Sequence, residues 1–169
     1  MACLKVFGLW CVLVLLIGFG SAQATDKRVI GWLEYAHINE AKMRLRVKVD
    51  TGADFSSLKA KILKTFTRNG EDWVRFRLKD GHNDAVVLER KIIRYARVKR
   101  KMAPSIKRPV VMLGICIGNI YRDAEVNLAK RKKFKYEMLI GRNYLHNAFL
   151  VDSAQSYTVG PSCPGIKGD

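Results

Sequence analysis

Between Met43 and Val49 every second residue is apolar: Met43, Leu45, Val47 and Val49 alternate with Arg44, Arg46 and Lys48. Such a stretch buries one face only as a strand, because on a helix the same four residues would scatter around the axis. Strand signals recur along the chain. Asn69-Gly70 lies between apolar runs in the segment Phe66 to Phe76, a hairpin signal because Asn and Gly accept the positive φ of a two-residue turn. Lys79-Asp80-Gly81 marks the next turn, before Ala85-Val86-Val87-Leu88, and further strands are expected at Ile92-Ile93, Val110 to Ile117 and Ala124 to Leu128. Helix is expected only in short pieces, near Ser57 to Leu63 and after Gly141. The pattern predicts an all-β, closed architecture with one or two short helices, without repeats or low-complexity linkers.

The first 24 residues have a different character. Lys5 precedes an apolar run from Val6 to Phe19, and Ala22-Gln23-Ala24 supplies small residues around a cleavage point, as in a secretory signal peptide. The run is short for a bilayer span of about 20 residues, and Trp10 before Cys11 is too large for a lipidation site. No later segment is long and apolar enough to cross a membrane as a helix, so no stable membrane insertion is expected after cleavage. Residues 25–169 then form one domain. Removing the leader with Lys5 leaves 30 basic against 15 acidic residues, a net charge of +15 that favours an anionic partner. One basic cluster contains Arg94, Arg97, Lys99, Arg100, Lys101, Lys107 and Arg108; another contains Lys130, Arg131, Lys132, Lys133 and Lys135, which suits a solvated surface. Cys116 and Cys163 remain, able to form one disulfide in an exported chain, although Cys116 lies in an apolar run where a buried thiol is equally reasonable.

The strand from Met43 ends at Asp50-Thr51-Gly52-Ala53-Asp54. Hydrolysing a peptide with neither metal nor covalent intermediate takes one carboxylate to accept a proton from water and a second, protonated one to polarise the carbonyl. The two must lie so close that they cannot both ionise, and their titration belongs to the pair. Thr51 can donate a hydroxyl hydrogen bond within such a turn, and Gly52 permits close backbone approach at dihedrals other residues resist. A strand ending in an Asp/Gly turn is also common without any chemistry. A second segment adds to the first: Tyr136 to Ile140 is apolar and is followed by Gly141-Arg142-Asn143. No H-E-x-x-H or phosphate-binding G-x-x-x-x-G-K-[ST] occurs, and His37, His82 and His146 are too dispersed for a metal site, so neither metal nor cofactor is expected.

Together, Val49 to Asp54 and Gly141-Arg142-Asn143 resemble the retropepsins, single-domain dimeric aspartic proteases. The resemblance is closer to a bacterial group of retropepsin-like proteins often labelled ATP-dependent zinc proteases. It is carried in order by Gly31-Trp32 and Glu34, Lys48 to Ala53, Ser56-Ser57-Leu58, Arg108 to Val111, Met138 to Arg142, and Val151-Asp152. It implies a closed acid-protease barrel, Asp50, Thr51 and Gly52 as the catalytic triplet, and a loop of Ala53 and Asp54 braced by Arg142. With this leader, the expected location is the periplasm. Only one full Asp-Thr-Gly occurs, since Asp152-Ser153-Ala154 lacks the glycine, so one active site needs two chains in a symmetric homodimer.

The resemblance also places a flap, a hairpin closing over substrate, at about Ile93 to Val111. Its centre is basic, with Lys99, Arg100 and Lys101 as candidate substrate-binding residues, which implies acidic peptides or proteins as substrate. Some members of the bacterial group resemble partners of glutamate-ligating enzymes, which makes glutamate-rich tails a conceivable substrate class. The leading expectation is therefore an exported, homodimeric aspartic endopeptidase. The alternative is a non-catalytic protein of the same fold that binds anionic envelope ligands. Nucleic acid is not an expected partner, because the first basic cluster holds no aromatic residue beyond Tyr95.

Overall fold

The computed structural model describes residues 26–82, 84–100, 103–130 and 135–165. The expected leader lies outside the described residues, as do Lys101 and most of the second basic cluster, Arg131 to Lys133. Eleven strands carry the fold: β1 (Arg28–Ile38), β2 (Met43–Val49), β3 (Ser56–Lys59), β4 (Lys61–Arg68), β5 (Glu71–Lys79), β6 (Ala85–Lys91), β7 (Arg94–Arg100), β8 (Ala103–Ile117), β9 (Ile120–Ala129), β10 (Met138–Ile140) and β11 (Phe149–Ser156). One α-helical turn, α1 (Arg142–Leu145), and a 3-10 turn at Asn39–Ala41 complete them.

Eight strands form one sheet in the order β11-β1-β2-β10-β3-β9-β8-β7, and a further β1–β8 pairing brings six of them into a ring. That closing seam is short, comprising His37 with Cys116 and Ile38 with Ile115. The expected closure is thus present, but the barrel is incomplete, with β7 and β11 outside the ring. Ile30, Ile38, Leu45, Val47, Leu58, Leu113, Ile115, Val126 and Ile140 fill the core. In β2 all four alternating apolar residues are buried, so the period-two pattern and the core face coincide. Strands β4, β5 and β6 form a separate antiparallel sheet whose Val74, Phe76, Leu78 and Leu88 pack into the same core. Its first turn has positive φ at both Asn69 (53°) and Gly70 (76°), the turn chemistry that this pair favours.

Two local expectations are corrected. The segment Ser57 to Leu63 is not helical: β3 pairs parallel with β9 and antiparallel with β10, and β4 begins at Lys61. Pairing on both sides of β3 and complete burial of Leu58 outweigh a weak local helix preference. Ile92 and Ile93 form a two-residue link between β6 and β7 rather than a strand, with Ile92 buried. Cys116 and Cys163 form a disulfide that ties the C-terminal segment to β8. Nearby, the buried Glu34 carboxylate accepts the backbone N–H groups of Gly31, Thr158 and Val159 and the Thr158 hydroxyl, satisfying a charge that would otherwise be costly inside.

Candidate active site

Asp50 is placed by two parallel strands. Strand β10 runs beside the end of β2, with Ile140 opposite Val49, and the Asp50 N–H donates to the Ile140 carbonyl at 2.9 Å. The chain then turns, with the Ala53 N–H donating to the Asp50 carbonyl at 3.2 Å. Asp50 is half-exposed, and its Oδ1 accepts the Gly52 N–H at 3.0 Å, an Asx-type turn that fixes the carboxylate on its own backbone. Gly52 does not have a positive φ, so its φ does not by itself require glycine. Its role is spatial instead, because a Cβ there would lie 3.2 Å from the same Asp50 oxygen. The Thr51 side chain is exposed, and among the described residues it is the Thr51 carbonyl that is engaged, accepting from Arg142 Nη1 at 2.8 Å.

The Gly141-Arg142-Asn143 segment clamps this loop. A helix leaves its first N–H groups without internal partners. Here the Arg142 N–H donates to the Ala53 carbonyl at 2.8 Å and the Asn143 N–H to the Asp54 carbonyl at 3.0 Å, so the loop caps the helix and the helix holds the loop. A Cβ at Gly141 would sit 2.6 Å from the Phe55 carbonyl carbon, which leaves room only for glycine. The Arg142 guanidinium pairs with the Asp54 carboxylate while it donates to Thr51, bridging both ends of the loop.

Beneath the clamp lies a polar network that sequence reasoning did not assign. Asn143 Oδ1 accepts from the Ser56 N–H and hydroxyl at 2.9 and 3.0 Å, its Nδ2 donates to the Glu125 carbonyl at 2.9 Å, and the Gly141 N–H donates to Ser56 Oγ at 3.1 Å. Asn127 donates to the Ser56 carbonyl and accepts from the Ser57 hydroxyl. Ser56 and Ser57 are both buried, and this network satisfies them. Buried serines in a strand leave no periodic trace, so only their place in the family-like pattern singled them out.

Above Asp50, the hairpin of β7 and β8 forms one wall of a groove of about 630 Å³. Lys48, Asp50, Phe55, Arg94, Arg97 and Arg108 are among its lining residues. Arg94 stacks over the Phe55 ring at 4.4 Å and pairs with Glu125. The hairpin occupies the span expected for a flap. Lys99 and Arg100 fall in β7, and among the described cationic side chains Arg94, Arg97 and Arg108 of the hairpin line the groove together with Lys48 of β2. These three arginines belong to the first basic cluster, and strand pairing brings them to one groove. Among the described residues no group of His, Cys, Asp and Glu gathers as a metal site.

A family model described as "RimB-like: Retropepsin-like aspartic endopeptidase RimB" matches residues 29–161. Among curated proteins, the chain is 34% identical over 128 residues to a protein of Shewanella pealeana named "Probable alpha-L-glutamate ligase", covering 74% of this chain and 27% of that protein. A protein of the same name from Desulfotalea psychrophila is 28% identical over 143 residues, covering 82% and 31%. The chain thus spans only about a quarter to a third of the length of these relatives. Among solved structures, the Legionella pneumophila protein Lpg0085, described as of unknown function (DUF785), is similar at 32% identity and a TM-score of 0.66, with 78% of this chain and 97% of that one covered.

Proposed function

The chain belongs to the RimB-like family of retropepsin-like aspartic endopeptidases, and from that premise we propose that it is an exported aspartic peptidase acting as a homodimer on acidic peptides. The observation that carries this reading is the setting of Asp50, a half-exposed carboxylate held on a clamped loop below a groove lined by arginines. In the proposed dimer, Asp50 of one copy faces Asp50 of a second. The ionised member takes a proton from water as the water oxygen attacks the scissile carbonyl, and the protonated member donates to the carbonyl oxygen. As the tetrahedral intermediate collapses, the carboxyl that took the water proton passes it to the leaving nitrogen while the other carboxylate takes back a hydroxyl proton from the intermediate. The C–N bond breaks, amine and carboxylic acid are released and the pair is again singly protonated.

Exposure of the loop supports the need for a second copy. Thr51, Gly52 and Asp54 face solvent, Phe55 is 45% exposed, and the Arg142 and Asp54 side chains retain 52% and 71% of their accessible surface. A clamp this open suits a surface that a symmetric partner covers. The substrate class follows from the arginines and from the relatives' names. The stretch resembling this chain is part of proteins named "Probable alpha-L-glutamate ligase", which points to glutamate as the acidic residue.

Dilution tests the dimer. Turnover of an acid-rich peptide per mole of chain should rise with protein concentration and level off once sedimentation shows a dimer. Constant specific activity from a chain that sediments as a monomer would reject this assembly.

A further inference from the structure

Arg108 stands out among the cations of the groove. It lies on β8 opposite Ala96 of β7, a cross-strand neighbour too small to cover it, and both residues line the groove above Asp50. Its side chain is half-buried, and burial lowers its pKa, yet a guanidinium keeps its charge at any physiological pH. Among the described residues no carboxylate forms an ion pair with it. Its hydrogen bond is a long one of 3.3 Å to Asn127 Oδ1, an oxygen that already accepts from the Ser57 hydroxyl. The neighbouring Arg94 is different, since Glu125 neutralises it.

A partly desolvated cation with one weak neutral partner is unfavourable unless something anionic completes it. We propose that Arg108 is a specificity-determining residue that receives a carboxylate of the bound peptide, with Asn127 and Ser57 orienting the guanidinium. The planar fork suits a carboxylate approaching through the groove, where two parallel N–H donors would meet its two oxygens. This adds an acid-selecting contact at the root of the hairpin. It deepens the peptidase reading and rests on the groove being where peptide binds.

The carboxylate has two sources, an acidic side chain or the free C-terminus of the peptide. Short fluorescent peptides with one central Glu, Gln or Lys, each with a free or amidated C-terminus, distinguish them by fluorescence anisotropy on the full chain. The Glu peptide should bind at least roughly tenfold more tightly than the Gln peptide, in line with a charge-assisted hydrogen bond. Arg108→Gln should remove that preference and Arg108→Glu should shift it toward Lys, a reversal that general destabilisation does not produce. If the preference follows the free C-terminus and vanishes in Arg108→Gln, the subsite reads the chain end. No preference in the wild-type protein, no binding of any peptide, or a preference unchanged in both variants would overturn the proposal. Arg108-dependent binding without cleavage would support the subsite while counting against the peptidase. Cleavage indifferent to Glu or Gln would do the opposite.

Discussion

Arg142 ties Thr51 to Asp54 across the loop that carries Asp50, but both charged partners are largely solvated in the single chain. An exposed ion pair contributes only about 0.2–1 kcal/mol, and the hydrogen bond to the Thr51 carbonyl adds about 1 kcal/mol. Arg142→Ala should therefore lower stability by about 1–2 kcal/mol, measured by denaturant unfolding, and should reduce peptide turnover far more, because the loop loses its tie. Equal turnover in the variant would show that the clamp has no part in positioning Asp50. At this scale, the contact of Arg142 with Asp54 was legible because both residues fall in short ordered motifs. Asn127 and Arg108 were not, since their meaning comes from residues such as Ser57 and Ala96, distant in sequence and adjacent only after strands pair.

The strand elements were legible wherever local chemistry and burial agreed, as in β2 with its alternation or the β4–β5 hairpin with Asn69-Gly70. Ser57 to Leu63 was misjudged because pairing of β3 with β9 and β10 is non-local and carries no sequence period. The three-stranded sheet offers a test of its own. Glu89 on β6 accepts from Arg68 on β4 and from Arg75 on β5, each at 2.6 Å, so one carboxylate ties all three strands. The Arg68 hydrogen bond, followed by that of Arg75, lowers the Glu89 pKa from 4.5. A carboxyl with a depressed folded-state pKa adds stability that is present above 4.5 and is lost as pH falls through the depressed value. Amide protection in β4 to β6, measured relative to the intrinsic exchange rate at each pH, should fall over that acidic window in the wild type, and this part of the pH dependence should be missing in Glu89→Gln. The same acid dependence in both proteins would show that the carboxylate contributes nothing to the sheet.

At the scale of the whole molecule, two strong features meet at one place. The closed ring of strands presents a single Asp-Thr-Gly loop, and the basic residues at the root of the β7–β8 hairpin stand over it. In the proposed dimer two carboxylates would share one site and not both ionise, so that reading expects peptide turnover to follow a bell-shaped pH profile with an acidic optimum. A profile that rises steadily to alkaline pH would indicate a different general base. The whole-chain charge of +16 indicated an anionic partner without indicating where it would sit, because net charge holds no position. Strand pairing brings Arg94, Arg97 and Arg108 to the groove that contains Asp50, the place where the proposed reading puts that partner.

The most direct measurement of the central claim is cleavage of an acid-rich peptide by the wild-type protein and by Asp50→Asn, prepared side by side and matched for folded content. Asn at position 50 keeps an oxygen to accept the Gly52 N–H but cannot take a proton from water. The wild-type protein should cleave the peptide, while the variant retains its unfolding midpoint and yields no product above the uncatalysed rate. Equal cleavage by the two proteins, or none by either under conditions where the wild-type protein is dimeric and binds the peptide, would contradict Asp50-dependent peptide hydrolysis.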